Sequence, residues 1–141
     1  MIGNSKIAYS LDKTAFEKDE VLEIYKANNW SSADKPDLLL KALRNSDSVV
    51  TARAAGRLVG IGNAITDGYL VVYYSHLAVH PEFQGKGIGR GMMKLIQGKY
   101  KDFHQQVLVS EGDAVEFYKK IGFERAGRTE PLWIYQGDDH S

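Results

Sequence analysis

The chain has 141 residues, 43% hydrophobic and 26% charged, and its 18 Lys and Arg balance 18 Asp and Glu. That suffices for one domain over residues 1–141 with its own core, and zero net charge excludes a broad field attracting nucleic acid or anionic membrane. No cysteine is present, which excludes a disulfide framework, a thiol nucleophile and thiolate metal sites.

In chain order, Met1 to Lys6 lack the apolar stretch of a signal peptide, and no apolar run approaches the ~20 residues of a membrane span. A soluble, cytoplasmic protein with no membrane partner and no metal is expected. Ile7 to Leu11 reads as a first strand. Thr14 to Ala27 carries Phe16, Val21, Leu22, Ile24 and Tyr25 at helical spacing, and Asn28-Asn29 ends it. Asp37 to Asn45 repeats the pattern after Pro36. Ser48 to Ala55 and Arg57 to Ile65 read as strands joined at Ala55-Gly56, and Tyr69 to Val79 follows as a third, closed by Pro81. Gly87 to Tyr100 reads as a helix, Gln106 to Ser110 as a strand, Asp113 to Ile121 as a helix, and Leu132 to Tyr135 as a last strand. This order specifies a mixed α/β fold, a mostly antiparallel central sheet flanked by helices.

The most informative segment is His76-Leu77-Ala78-Val79-His80-Pro81-Glu82-Phe83-Gln84-Gly85-Lys86-Gly87-Ile88-Gly89-Arg90. A strand is followed by a proline stop, a glycine-rich turn and a helix. Glycines let the backbone approach a ligand, and the first N–H groups of a helix, with its dipole behind them, suit an anion such as phosphate. The glycine-rich P-loop pattern fails because no Gly-Lys-Ser or Gly-Lys-Thr occurs. The dinucleotide pattern G-x-G-x-x-G fails because Gly85 and Gly87 lead to Arg90, and Gly87 and Gly89 lead to Met92. A bare structural turn would place several glycines at a helix start, at ~1 kcal/mol each in helix propensity, with nothing to offset it.

What the segment does fit is Q-x-x-G-x-G, and here it resembles the coenzyme A pyrophosphate loop of the GNAT N-acetyltransferase superfamily. Asp113-Ala114-Val115-Glu116-Phe117-Tyr118-Lys119-Lys120-Ile121-Gly122-Phe123 is similar to that family's second signature, A-x-x-F-Y-x-x-x-G-F. Together the signatures extend the resemblance over roughly Ser48 to Tyr135. Arg57 to Gly68 and Leu132 to Tyr135 are similar to the plant and cyanobacterial serotonin N-acetyltransferase-like group. That group shows Asp where His76 and Glu111 stand.

The resemblance implies acetyl-CoA as co-substrate and direct attack of an amine on the thioester. It places Leu77, Ala78, Val79, Gln84, Gly85, Lys86, Gly87, Ile88, Gly89, Arg90, Asp113 and Tyr118 against the cofactor. Tyr118 takes the role of acid to the departing thiolate, and Val79 N–H that of oxyanion donor. His76 and Glu111 are the two candidates for the base, and the choice between them stays open. Trp30, Tyr73, Tyr74 and Trp133 are the candidate acceptor-binding aromatics. Strand alternation puts Tyr74 and His76 on one side of the third long strand and Tyr73, Ser75 and Leu77 on the other, unless a bulge intervenes. The expected acceptor is a small primary amine, an arylalkylamine among the options. A protein or peptide acetyltransferase and a non-catalytic acyl-CoA sensor are the alternatives. No nucleic acid is expected as partner; a homodimer is compatible with the family.

Overall fold

A computed structural model describes residues 6–139. Its strands are β1 (Ile7–Ser10), β2 (Ser48–Ala54), β3 (Arg57–Thr66), β4 (Val71–Val79) and β5 (Gln105–Val107). Its helices are α1 (Lys18–Ala27), α2 (Pro36–Arg44), α3 (Ile88–Lys99) and α4 (Ala114–Lys120). The sheet runs β1-β2-β3-β4-β5; β1 to β4 pair antiparallel and β5 joins β4 in parallel.

Both faces of the sheet are covered, which is why β2 and β3 read as almost unbroken apolar runs. On one face Val21, Ile24 and Tyr25 of α1 and Leu39 and Leu43 of α2 pack with Val49, Leu58, Ile61 and Ala78. On the other, Ile88, Met92, Met93 and Ile96 of α3 pack with Val50, Ala52, Val59 and Val72, and Phe117 and Tyr118 of α4 close against them.

Several elements differ from the sequence reading: β4 begins at Val71 rather than Tyr69, β5 spans Gln105–Val107 rather than Gln106 to Ser110, and two further differences have a visible cause. Helix α1 begins at Lys18 rather than Thr14 because Asp12 holds a turn there. Its carboxylate accepts from Thr14 N–H at 2.9 Å and Thr14 Oγ1 at 2.7 Å. The helix starts where the Glu20 carboxylate accepts from Glu17 N–H at 3.0 Å. Leu132 to Tyr135 forms no strand. Leu132 and Ile134 are 92% and 97% exposed, and polar bonds tether the segment to the turn after α1 instead. Tyr135 Oη lies 2.9 Å from Ser31 Oγ and donates to Asp139 Oδ1 at 2.8 Å, and Asp139 accepts from Ser31 N–H at 3.2 Å. Residues 1–5, read above as lacking a signal segment, fall outside the described residues, and no helix described is long and apolar enough to cross a membrane.

The β2–β3 turn has the expected two residues, with Ala54 opposite Arg57. Both turn residues are left-handed, Ala55 at φ 49° and Gly56 at φ 83°, the pattern of a type I′ hairpin. Alanine bears a steric cost there that asparagine largely avoids. Ala55→Asn should therefore stabilise the fold by about 0.5–1 kcal/mol, read as a higher urea midpoint. A lower midpoint would contradict this turn.

Candidate active site

The site is organised by an irregularity in β4. Asn63 of β3 stands opposite His76 and Ala64 opposite Tyr74, so Ser75 is an extra residue in β4. A bulge of this kind reverses the side-chain parity beyond it. The expected grouping of Tyr74 with His76 is therefore corrected: they face opposite sides of the sheet. Tyr74 packs toward α3 and α4, its ring 6.1 Å from Tyr100 and 6.2 Å from Phe123, and donates to Gln106 Oε1 at 2.6 Å. His76 lies on the α1 side.

A buried amide holds the bulge. Asn63 Oδ1 accepts from Ser75 Oγ at 2.8 Å and from His76 N–H at 3.0 Å. Its Nδ2 donates to Ser46 Oγ at 2.9 Å, and that hydroxyl donates to Ala42 O at 2.8 Å. The chain of bonds satisfies the polar groups that the bulge removes from the strand ladder.

His76 then sits among aromatic rings. Its Nδ1 is 2.8 Å from Tyr25 Oη, and its ring centroid is 5.3 Å from Tyr25 and 5.6 Å from Trp30. Tyr25 and Trp30 meet edge to face at 5.4 Å. Burial alone holds the imidazole pKa below its usual value. Trp30 is thus brought together with His76. Tyr74 is on the opposite face, Tyr73 is an exposed β4 residue, and Trp133 stacks on Tyr135 at 4.4 Å.

Parallel pairing of β4 with β5 ends at Tyr73 opposite Val107, so the β5-side edge of β4 from Tyr74 to Val79 is uncovered by strand. His80 N–H donates to Val59 O at 2.8 Å. Antiparallel alternation therefore turns the N–H groups of Leu77 and Val79 toward the uncovered edge. The Val79 carbonyl is taken by two side chains, Gln84 Nε2 at 2.9 Å and Asn28 Nδ2 at 3.1 Å. Gln84 also donates to Asn28 Oδ1 at 3.3 Å.

The glycines beyond Gln84 do different things. Gly85 and Gly87 have φ 77° and 83°, and a Cβ at either would meet nothing within 4 Å, so backbone conformation and not crowding calls for glycine. Gly89 has ordinary φ, but a Cβ there would lie 3.3 Å from Phe117 of α4. Gly91 N–H bonds Gly87 O at 3.0 Å, so the N–H groups of Ile88, Gly89 and Arg90 have no helical carbonyl beneath them. Lys86 and Arg90 are exposed beside this cradle, and Lys86 Nζ lies 5.7 Å from the Phe83 ring centroid. The cradle has the donors and the charge for a pyrophosphate.

Across the uncovered edge, α4 carries Tyr118 between Phe117 at 5.0 Å and Phe123 at 5.9 Å. Burial pushes its phenol up to about 12, and its hydroxyl has no hydrogen-bond partner among the described residues. Glu111 and Asp113 are exposed in the turn before α4. Asp113 occupies the N-cap position without a capping bond from its side chain. The sequence reading gave Tyr25, Asn28 and Asn63 no role in the site. Asn63 left one signal, an amide inside the apolar run Gly60-Ile61-Gly62-Asn63-Ala64-Ile65. Among the described residues, no group of three His, Asp or Glu side chains is arranged to hold a metal.

Known proteins share this sequence pattern and fold. The family described as "Acetyltransferase (GNAT) domain" matches residues 13–131. An uncharacterized N-acetyltransferase of Porphyra purpurea, ycf52, is 27% identical over 142 residues, covering 85% of this chain and 80% of that protein. The GNAT family acetyltransferase SP0256 of Streptococcus pneumoniae superposes with a TM-score of 0.80 at 28% identity, covering 94% of this chain and 100% of the other. An aminoglycoside N-acetyltransferase, AAC(6′)-Iy, solved in complex with CoA, shares the fold at a TM-score of 0.68 and 17% identity, over 95% and 96% of the two chains.

Asn63→Leu would leave the Ser75 hydroxyl and the His76 N–H without their acceptor. The expected loss is about 2–4 kcal/mol in urea unfolding, from the cost of orphaned buried polar groups. A loss below about 0.5 kcal/mol would mean that the bulge stands without this amide.

Proposed function

This chain belongs to the GNAT acetyltransferase family and is an acetyltransferase, and on that premise we propose that it acetylates the primary amine of a small molecule with acetyl-CoA as donor. The observation that carries the reading is the uncovered β4 edge, which lies between an N–H cradle, an aromatic cluster and a buried phenol.

In this reading the N–H groups of Gly85 to Arg90, with Lys86 and Arg90 beside them, hold the pyrophosphate of the donor. The edge of Leu77, Ala78 and Val79 pairs with its pantetheine amides as an added strand would. Val79 N–H aims at the thioester oxygen and stabilises the charge that develops there. The amine enters from the Trp30 side and attacks the carbonyl carbon; the C–N bond forms and the C–S bond breaks. Tyr118 gives its proton to the sulfur. At about 12 the phenol stays protonated throughout the working range and so holds a proton to give. His76 and Glu111 are the residues available to manage the proton that the amine loses.

An arylalkylamine suits the aromatic side of this edge, where the partly exposed Trp30 and His76 offer ring faces to an aromatic body and to an ammonium. The resemblance of Arg57 to Gly68 to the serotonin N-acetyltransferase-like group points the same way.

Thiol release from acetyl-CoA across arylalkylamines, polyamines, amino sugars and peptides tests the reading, since the protein contributes no thiol of its own. Preference for arylalkylamines is expected; release with peptides alone would overturn the small-molecule acceptor. Tyr118→Phe should lower turnover roughly 10–1000-fold while CoA affinity holds. Unchanged turnover would remove the phenol from the reaction. Gly87→Val, strained at φ 83°, should instead weaken CoA binding in calorimetry by tenfold or more, about 1.4 kcal/mol. Wild-type affinity in that variant would refute the cradle.

A further inference from the structure

The contact between Tyr25 and His76 constrains where the imidazole hydrogen sits. Tyr25 is 0% exposed, and His76 Nδ1, at 2.8 Å, is the only hydrogen-bond partner of its hydroxyl among the described residues. A phenol has one proton to donate, and burying it without an acceptor costs about 1–3 kcal/mol. Two arrangements satisfy the distance. If Nδ1 carries a hydrogen and donates to Oη, the phenol proton is orphaned in the core. If the phenol donates to Nδ1, the phenol proton and the Nδ1 lone pair are both satisfied and the imidazole hydrogen is on Nε2.

We propose that Tyr25 donates to His76 Nδ1, so that His76 enters the reaction as a neutral imidazole with its hydrogen on Nε2, a hydrogen-bond donor to substrate and not the general base. The inference rests on the acetyl-transfer reading for the role it gives His76, although the tautomer stands on the contact alone. An imidazole in this form has no lone pair free, since Nδ1 is occupied by the phenol and Nε2 bears a hydrogen. The groups around the ring bias it the same way. Tyr25 and Trp30 face it, Asn63 takes its backbone N–H, and burial is the sole cause of its lowered pKa, with no charged partner to draw a second proton onto it. Tyr25 itself stays protonated because burial moves its pKa upward. The amine's proton then leaves to water or to Glu111 while Tyr118 protonates the sulfur and is recharged from solvent, so protons balance. Tyr25 is thus a positioning residue, acting through His76.

The direct test is the tautomer, read by nitrogen NMR on the 141-residue protein labelled in histidine. Only 4 histidines are present, and His76→Gln identifies the signal. The expected result at neutral pH is an unprotonated Nδ1 and a protonated Nε2, relaxing toward a mixture in Tyr25→Phe. A wild-type Nδ1 that carries the hydrogen would overturn the proposal, and so would a tautomer that Tyr25→Phe leaves unchanged. The wild-type spectrum decides the first point even if that variant does not fold. The second test is kinetic. His76→Gln, which keeps an N–H donor, should retain turnover within about tenfold, whereas His76→Leu should lose about 10²–10³-fold, the scale of a lost donor. The acid limb of kcat/KM should persist in His76→Gln; its disappearance would restore His76 as the base. Absence of acetyl transfer to any amine would count against the proposed function and leave the tautomer measurement intact.

Discussion

The arrangement of the whole site depends on one buried amide. Asn63 accepts from Ser75 Oγ and His76 N–H and so pays for an extra residue in the middle of β4. Before the bulge, Val72 and Tyr74 face α3; beyond it, Leu77 and Val79 face α3 while His76 faces α1. A regular strand would have turned the imidazole into the α3 core and Leu77 and Val79 away from it. The bulge lets one strand serve as core wall at one end and, in the proposed reading, as reaction surface at the other.

A second constraint is the unequal length of the partners of β4. Strand β3 accompanies it to Val79, but β5 leaves after Tyr73, so one edge has no ladder partner from Tyr74 to Val79. Such an edge is a binding surface for anything carrying amides in an extended run. Its far end is fixed from two sides at the Val79 carbonyl, by Asn28 from the end of α1 and by Gln84 from the glycine loop. The helix that carries Tyr25 and the loop that forms the anion cradle are thereby held to one atom. Lys86 and Arg90 add local positive charge at that loop in a protein whose net charge is zero.

Elsewhere the frame is braced by polar contacts at the sheet margins. Tyr100 donates to Asp47 Oδ2 at 2.5 Å and lies 2.6 Å from Ser48 Oγ, tying the end of α3 to the start of β2. That bond, with Lys99 nearby, holds the Asp47 carboxyl below its usual range. Arg53 grips Glu20 with two nitrogens, at 2.6 and 3.0 Å, and joins β2 to the first turn of α1. Being partly exposed, this pair fixes orientation more than it adds stability.

From sequence alone, the order of elements, the glycine cradle and the helix bearing Tyr118 could be read, because each depends on residues close together in the chain. Periodicity marks a helix, glycine marks left-handed backbone, and Gln84 to Gly89 and Ala114 to Phe123 are continuous segments. Leu132 to Tyr135 has strand-like residues, yet it forms no strand, since a strand requires a partner edge and Ser31 and Asp139 hold the segment elsewhere. The separation of Tyr74 from His76, the placing of Tyr25 on Nδ1 and the grip on Val79 were likewise decided only in three dimensions. Tyr25 and His76 are 51 residues apart, as are Asn28 and Val79, and the strand parity turned on an amide in a neighbouring strand. Local chemistry is written in local sequence, whereas the direction a side chain faces after a bulge depends on which distant group satisfies the bulge.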